Sequence, residues 1–305
     1  MEWKLVSEEG PTDAGEYGAV LSADPQGRPA TFTWGAKEEE RLRGWVWTGD
    51  AWSSIDDLKW THEISMIGVH DATRGRSYYL HNGGYKMFFS YLAMWTGSGI
   101  EYVDGFKVDF RQRTGFGVTF DEANDRIIWH GGVEQILPPD ETMSPSNETW
   151  TWRSGKAETL VTQGKPPASY LIAFGYCPKS ASCILLTRGE RGVETWELLG
   201  DSWTQLHPET SPPLSSERQS QWLLPVWDPV NELLVVHGPD GFEAETWGWD
   251  GIDWRLLARF SGSPERIGST IAWDPATKRL ILYGGSASDG TWQDETYLLE
   301  RSQIR

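Results

Sequence analysis

The sequence predicts an all-β protein, a six-bladed β-propeller with four-stranded antiparallel blades. Three observations predict it: a turn motif that recurs six times at intervals of 46 to 56 residues, an aromatic hairpin after most copies, and an N-terminal segment that completes the last repeat. A period of this length is typical of arrays of similar structural units. Six units of four strands each have the composition of a β-propeller.

The turn motif joins the first two strands of each repeat. Residues 268–285, GSTIAWDPATKRLILYGG, are the clearest copy, with an apolar run, an Asp-led turn, a second apolar run and glycine. Apolar runs such as LILY do not alternate with polar residues, which is typical of sheets buried on both faces. We place the six turns at Asp24, Asp71, Asp121, Cys177, Asp228 and Asp274.

An aromatic hairpin forms the second half of each repeat. Residues 245–257, ETWGWDGIDWRLL, contain two strand-length runs around an Asp-Gly turn, which is a strong β-hairpin signal. We predict that these runs are the third and outer strands of a blade. Their tryptophans are then interpreted as packing between blades, not as a binding platform. Sister segments lie at 43–55, 92–103, 148–161 and 194–206.

The sixth repeat stops after its third strand, ETYLLE (295–300), and lacks an outer strand. MEWKLV at the N-terminus fits that place, because Trp3 corresponds to Trp254. We therefore predict that residues 2–6 join the C-terminal blade and close the ring. The chain is then a single propeller domain, residues 1–305, with blades at about 15–55, 64–103, 113–161, 169–206, 218–257 and 266–300.

Composition narrows the choice of partners. The net charge of −17 and the pI near 4.8 give a surface that repels phosphate backbones, so we expect no nucleic-acid partner. No apolar run approaches the roughly 18 residues of a spanning helix, and the N-terminus lacks the layout of a signal peptide. We expect a cytoplasmic protein with no membrane partner, in which Cys177 and Cys183 are free thiols in packed strands.

The repeats resemble those of kelch-repeat propellers, and their tryptophan-dense form looks like stand-alone bacterial kelch proteins. The resemblance rests on glycine pairs that end second strands and on a later tryptophan: Gly83/Gly84, Gly131/Gly132, Gly284/Gly285, Trp52, Trp203 and Trp254. It implies the fold but no single function, because kelch-type propellers include protein-binding adaptors, a copper oxidase, a sialic acid mutarotase and iron-dependent proteins. No motif carries any of those activities over to this chain.

Candidate functional residues concentrate at one predicted mouth of the central channel, where first strands begin and second strands end. Histidine and carboxylate groups can transfer protons near neutral pH, and the candidates for that role are His130, His237, Glu63 and Glu16. Arginine suits a carboxylate or phosphate and aromatic rings can stack; the ligand-binding candidates are Arg113, Arg188, Arg266, Tyr283, Trp34 and Trp222. Alternatively, these groups satisfy one another and buried backbone.

No cofactor is predicted. His81, His130 and His237 occupy related blade positions and are the metal candidates, but no HxH or HExxH spacing supports a metal site. We interpret His62, His70 and His207 as ordinary loop or strand residues.

Two functions are consistent with these residues. The first is a small-molecule-binding propeller for a small anionic or polar ligand, with or without a non-redox reaction of the isomerase, lyase or cyclase type. The alternative is a non-catalytic scaffold of the kelch type that docks a peptide or protein partner. The sequence shows no second domain to recruit a partner, so we favour the first.

Overall fold

The computed structural model describes most of the chain, and within the described part all regular structure is β. The described ranges are 1–11, 22–34, 42–55, 66–82, 90–97, 99–103, 113–135, 143–169, 172–190, 192–213, 224–240, 243–260, 269–287 and 289–300. No helix in these ranges has the length and apolar composition needed to span a bilayer.

The strands follow one another at short intervals, as the turn signals predict. Those up to the end of the third blade are β1 (Glu2–Ser7), β2 (Ser22–Ala23), β3 (Pro29–Trp34), β4 (Leu42–Trp47), β5 (Trp52–Ile55), β6 (Met66–Asp71), β7 (Arg76–Asn82), β8 (Ser90–Trp95), β9 (Ile100–Tyr102), β10 (Arg113–Thr114), β11 (Gly117–Asp121), β12 (Arg126–His130), β13 (Val133–Gln135), β14 (Met143–Pro145), β15 (Thr149–Arg153) and β16 (Lys156–Thr159). Those of the last three blades are β17 (Ile172–Cys177), β18 (Ser182–Gly189), β19 (Gly192–Leu199), β20 (Ser202–Leu206), β21 (Val226–Asp228), β22 (Leu233–Asp240), β23 (Glu243–Trp249), β24 (Trp254–Phe260), β25 (Thr270–Asp274), β26 (Arg279–Tyr283) and β27 (Thr296–Glu300).

These strands build six four-stranded antiparallel sheets, which confirms the predicted six-bladed β-propeller. From blade 1 to blade 6 the sheets are β2-β3-β4-β5, β6-β7-β8-β9, β11-β12-β15-β16, β17-β18-β19-β20, β21-β22-β23-β24 and β25-β26-β27-β1. A separate three-stranded sheet of β10, β13 and β14 lies in the segments that flank the inner strands of blade 3.

The N-terminal strand closes the ring, as the Trp3 match predicts. β1 pairs antiparallel with β27, with Trp3 opposite Leu299 and Leu5 opposite Tyr297. The strand continues to Ser7, one residue beyond the predicted range. The first and the last described strands therefore belong to one blade.

The core lies between blades, because both faces of each sheet are covered by a neighbour. Between blades 5 and 6, for example, Val235 and Leu282 belong to one buried cluster with Ile271. Burial on both faces explains why the inner strands are continuously apolar. Cys177 and Cys183 are buried free thiols in this core.

The aspartates that lead the turns are buried and cap them. Asp274, fully buried, accepts hydrogen bonds from the backbone N–H of Ala276 and from the hydroxyl of Thr277. A short carboxylate that binds the following N–H groups holds a tight turn in place. These turns fix where each first strand ends and thus what lines the channel beside them.

Candidate ligand-binding site

A cavity of about 450 Å³ lies on the central axis, at the end of the propeller where first strands turn into second strands. Residues of all six blades form its wall, so the cavity belongs to the central channel and lies at this mouth. The candidate residues discussed above are predicted at the opposite mouth.

The residue directly before each turn position lines this cavity. Because the six residues hold equivalent positions in the six blades and all line one cavity, they form a ring around it. In blade order they are Ala23, His70, Phe120, Tyr176, Trp227 and Trp273. Five of the six are aromatic or imidazole rings, and the alanine of blade 1 leaves space beside His70.

The cavity has a polar side and an apolar side. His70, Tyr176 and Glu122 come from blades 2, 4 and 3, which are consecutive around the ring. Trp227 and Trp273 come from blades 5 and 6, on the other side, and both are half-buried. The arrangement can hold a molecule that has one apolar face and one hydrogen-bonding edge.

His70 is tied into the wall on the polar side. Its Nδ1 lies 3.1 Å from the hydroxyl of Ser77, which in turn donates to the backbone oxygen of Ala23. Burial lowers the pKa of His70, while Asp24, Asp71 and the backbone of Arg76 oppose that shift. The ring is therefore neutral at neutral pH.

The other two polar groups are also perturbed, mainly by burial. Burial raises the pKa of Glu122, and the carboxylate of Asp71 adds to the shift. Burial raises the pKa of Tyr176 to about 12, with repulsion from Glu122 and Asp121 as further causes. Tyr176 therefore stays a neutral hydroxyl. Perturbed titratable groups in a cleft are a recognised indication of a functional site.

The two histidines predicted to transfer protons lie between blades. His130 is fully buried, with Nδ1 2.9 Å from Thr149 Oγ1. His237, 5% exposed, makes the same 2.9 Å contact with Thr246. Burial lowers the pKa of His237 to about 3.

Each of these imidazoles packs against a tryptophan of the next blade. The ring centroids are 5.1 Å apart for His130 and Trp203 and 5.7 Å apart for His237 and Trp3. The structure thus places both histidines in blade–blade contacts, and their catalytic role stays a prediction.

The ligand-binding candidates are dispersed. Tyr283 is fully buried, donates to the backbone oxygen of Pro11 at 3.2 Å and packs against Trp52. The Arg188 side chain is exposed. Neither residue lines the 450 Å³ cavity.

The remaining candidates have no described side chain. Glu16, Glu63, Trp222 and Arg266 lie outside the described residues. The strand positions of Trp34, His81 and Arg113 are described, but their side chains are not. In the described part of the chain, no group of three histidine, cysteine or acidic residues could hold a metal ion. The metal interpretation of His81, His130 and His237 stays a prediction.

The ring of the cavity is not among the sequence-based candidates, although the sequence contains its signal. The turn positions were identified, and the residue before four of them is aromatic: Phe120, Tyr176, Trp227 and Trp273. The capping role of the aspartates is a sufficient explanation of the turn motif, so the motif alone does not point to the residue that precedes each turn. His70, which the sequence presents as an ordinary loop or strand residue, also belongs to this ring.

Comparison with family models and with curated proteins finds no match, so kelch membership also stays a prediction. Solved structures with a similar fold do exist. One is described as the structure of YjhT, with 11% identity, 98% of each chain covered and a TM-score of 0.60.

Two further structures of similar fold are lectins. A variant of the Aleuria aurantia lectin, in complex with Fucα1-6GlcNAc, has 11% identity over 96% of this chain and 95% of that chain, with a TM-score of 0.63. The SapL1 lectin, in complex with alpha methyl fucoside, has 15% identity over 94% and 98%, with a TM-score of 0.55. At these identities the likeness shows the propeller fold.

Proposed function

We propose that the protein binds a small neutral saccharide in the 450 Å³ cavity of the central channel. The observation that carries the proposal is the ring of residues before the turns, which gives this cavity an aromatic side and a hydrogen-bonding side. A pyranose has the matching form, since its C–H groups share an apolar face and its hydroxyls surround the ring.

The size of the cavity supports a ligand of this class. Pockets for small molecules usually measure about 300–1,000 Å³ and combine apolar walls with a few polar groups, and this one has a volume of about 450 Å³. Trp227 and Trp273 supply flat apolar surface. The Tyr176 hydroxyl and His70 supply hydrogen bonds with opposite preferences, because a phenol donates well and a neutral imidazole nitrogen accepts.

Charge argues against an anionic ligand at this cavity. No lysine or arginine belongs to the described lining, which does include the carboxylate of Glu122. The net charge of −17 adds a repulsive field,. The arginines that suggested an anion do not support one here, because Arg188 does not line the cavity, and the side chains of Arg113 and Arg266 are not described.

The lectins with a similar fold guide the choice of probe. The ligands named with them contain fucose, so α-methyl-L-fucoside is a rational first compound, followed by the methyl glycosides of other neutral hexoses. Saturation-transfer NMR would detect weak binding, and titration calorimetry would measure Kd for the compounds that bind.

Two cavity variants and one matched control test the site. Trp227→Leu and Trp273→Leu should each weaken the best glycoside at least tenfold, because they remove the apolar face. Trp247→Leu is the control, since Trp247 is also half-buried but does not line the cavity. Equal Kd values for all three variants and the wild type would refute the proposed site.

We also propose that the repeats are of the kelch type. The glycine pairs support this, because Gly131 and Gly132 have φ of 72° and 88°, and Gly284 and Gly285 have φ of 75° and 92°. Two successive residues in this region strongly favour glycine. An isomerase, lyase or cyclase reaction and a peptide-binding scaffold stay predictions of the sequence; neither is needed to explain the cavity.

A further inference from the structure

His70 differs from the other members of the cavity ring because its side chain can accept a hydrogen bond through a ring nitrogen. Which nitrogen accepts depends on which one carries the proton. The contacts of His70 decide this. Its Nδ1 lies 3.1 Å from Ser77 Oγ.

The hydroxyl of Ser77 has one proton, and it donates that proton in a hydrogen bond to the backbone oxygen of Ala23. A carbonyl oxygen can only accept, so Ser77 must be the donor in that hydrogen bond. Ser77 can then only accept from His70. Nδ1 therefore carries the proton of the neutral ring, and the lone pair lies on Nε2.

Nε2 faces the turn of blade 1, at a glycine. A β-carbon at Gly27 would stand 3.6 Å from Nε2, and both Gly27 and His70 line the cavity. Because Gly27 has φ of 80°, the turn favours glycine at this point,. The absence of a side chain at Gly27, together with the small Ala23, leaves the lone pair accessible from the cavity.

We propose that His70 determines specificity for ligands with a suitably placed hydroxyl, because its Nε2 accepts a hydrogen bond from that hydroxyl. Ser77 acts as a positioning residue, since it holds Nδ1–H and fixes the tautomer. This inference rests on the proposed saccharide-binding function. If so, affinity for the ligand depends on pH, because a protonated imidazole has no lone pair with which to accept a hydrogen bond.

The direction of that dependence follows from the groups that surround the ring. Asp24 and Asp71 face it from the turns of blades 1 and 2 and favour protonation, and burial opposes them more strongly. Tyr79, whose hydroxyl lies 3.4 Å from the Ala23 oxygen, is neutral because burial raises its pKa. Glu122 stands at the cavity on blade 3 with a raised pKa. Affinity for the ligand should therefore be full at neutral pH. It should decrease as the pH drops below the usual range of the histidine pKa.

The tautomer can be tested without any ligand. Histidine-ring 15N NMR at pH 7.5 should show a protonated Nδ1 and an unprotonated Nε2 for the residue whose signals vanish in His70→Phe. Ser77→Ala should give a mixture of tautomers at that residue. A protonated Nε2 in the wild type would overturn the inference whatever the ligand is.

Binding supplies the second test, with the methyl glycoside of highest affinity from the panel as probe. His70→Phe should fold, since Phe120 fills the same position in blade 3. It should weaken binding about tenfold at pH 7.5 and remove the loss of affinity between pH 7.5 and 5. His207→Phe is the control, because His207 is exposed and does not line the cavity.

The variant Glu122→Gln distinguishes the effect of Glu122 on binding in acid from the effect of His70. The inference predicts that this variant keeps the pH dependence of the wild type. Wild-type affinity that is constant from pH 7.5 to 5, or a pH dependence that disappears in Glu122→Gln, would overturn the role of His70 and leave the proposed function intact. If no glycoside of the panel binds the wild type, both the function and this inference are wrong.

Discussion

The indole N–H of Trp3 donates to Thr246 Oγ1 at 2.9 Å and so joins two residues that are 243 positions apart. Each Trp–Thr bond of this kind between described residues links the outer strand of one blade to the third strand of the blade before it. The others are Trp52 to Thr296 at 2.8 Å, Trp203 to Thr149 at 3.1 Å and Trp254 to Thr195 at 3.0 Å. Ring closure by β1 therefore repeats the contact that joins neighbouring blades elsewhere.

Replacing Trp3 should destabilise the whole ring. Trp3→Phe keeps an aromatic ring but removes the donor to Thr246, which is fully buried. Loss of a buried hydrogen bond typically costs about 1–3 kcal/mol, and we expect a free energy of unfolding lower by about that amount. Urea unfolding followed by circular dichroism would measure it. Lys4→Ala, on the same strand with a side chain that is 62% exposed, should change the free energy by less than about 0.5 kcal/mol; an equal loss in both variants would contradict the account.

His237 should make the fold sensitive to acid. Burial lowers its pKa to about 3, whereas an unfolded chain has a histidine pKa of about 6.5. The unfolded state therefore binds a proton that the folded state does not, so stability is full above about pH 6.5 and falls as the pH drops toward 3. The expected slope from this residue is roughly 1.4 kcal/mol per pH unit.

The variant His237→Leu tests this slope. Leu186 pairs with Thr195 in blade 4 as His237 pairs with Thr246 in blade 5, so the position accepts leucine. Urea unfolding at pH 7.5, 6.0 and 5.0 should show a flatter dependence for this variant than for the wild type. The exposed His207 provides the control, His207→Leu, which should keep the wild-type slope. Parallel curves for the wild type and His237→Leu would show that the buried imidazole is not the cause.

The two carboxylates that form ion pairs with Arg126 should differ widely in their contribution to the free energy of unfolding. Arg126 is 6% exposed and binds Asp121 at 2.9 Å and Asp201 at 2.7 Å. Asp121 is itself buried and also caps its turn through Asn124, while the Asp201 side chain is 60% exposed. Asp121→Ala should lower the free energy of unfolding by about 3–5 kcal/mol, and Asp201→Ala by at most about 1 kcal/mol. Chemical unfolding of both variants would measure the contrast, and a similar loss for the two would disprove it.

The fold was predictable because its signals are periodic. Six turns and the tryptophan hairpins determine blade number and strand order, and Trp3 matches Trp254 closely enough to predict ring closure. The same regularity makes the inter-blade contacts recognisable as packing.

The candidate site was less predictable because polarity does not reveal which neighbour a side chain meets. His130 ends its second strand, as predicted, whereas the second strand of blade 5 continues past His237 to Asp240. Both imidazoles meet threonine and tryptophan between blades. The cavity depends on residues whose individual identities are ordinary for a strand, such as Trp227 and Trp273. They form a ring only because the same position, directly before the turn, recurs in all six blades.

A crystal structure of the protein with the tightest-binding methyl glycoside would show whether the ligand binds in the cavity beside the turns. We expect electron density for the sugar inside the cavity, with its apolar face toward Trp227 and Trp273 and a hydroxyl within hydrogen-bond distance of His70 Nε2. Density for the sugar at a junction between blades or at the opposite mouth, with none in the cavity, would contradict this expectation.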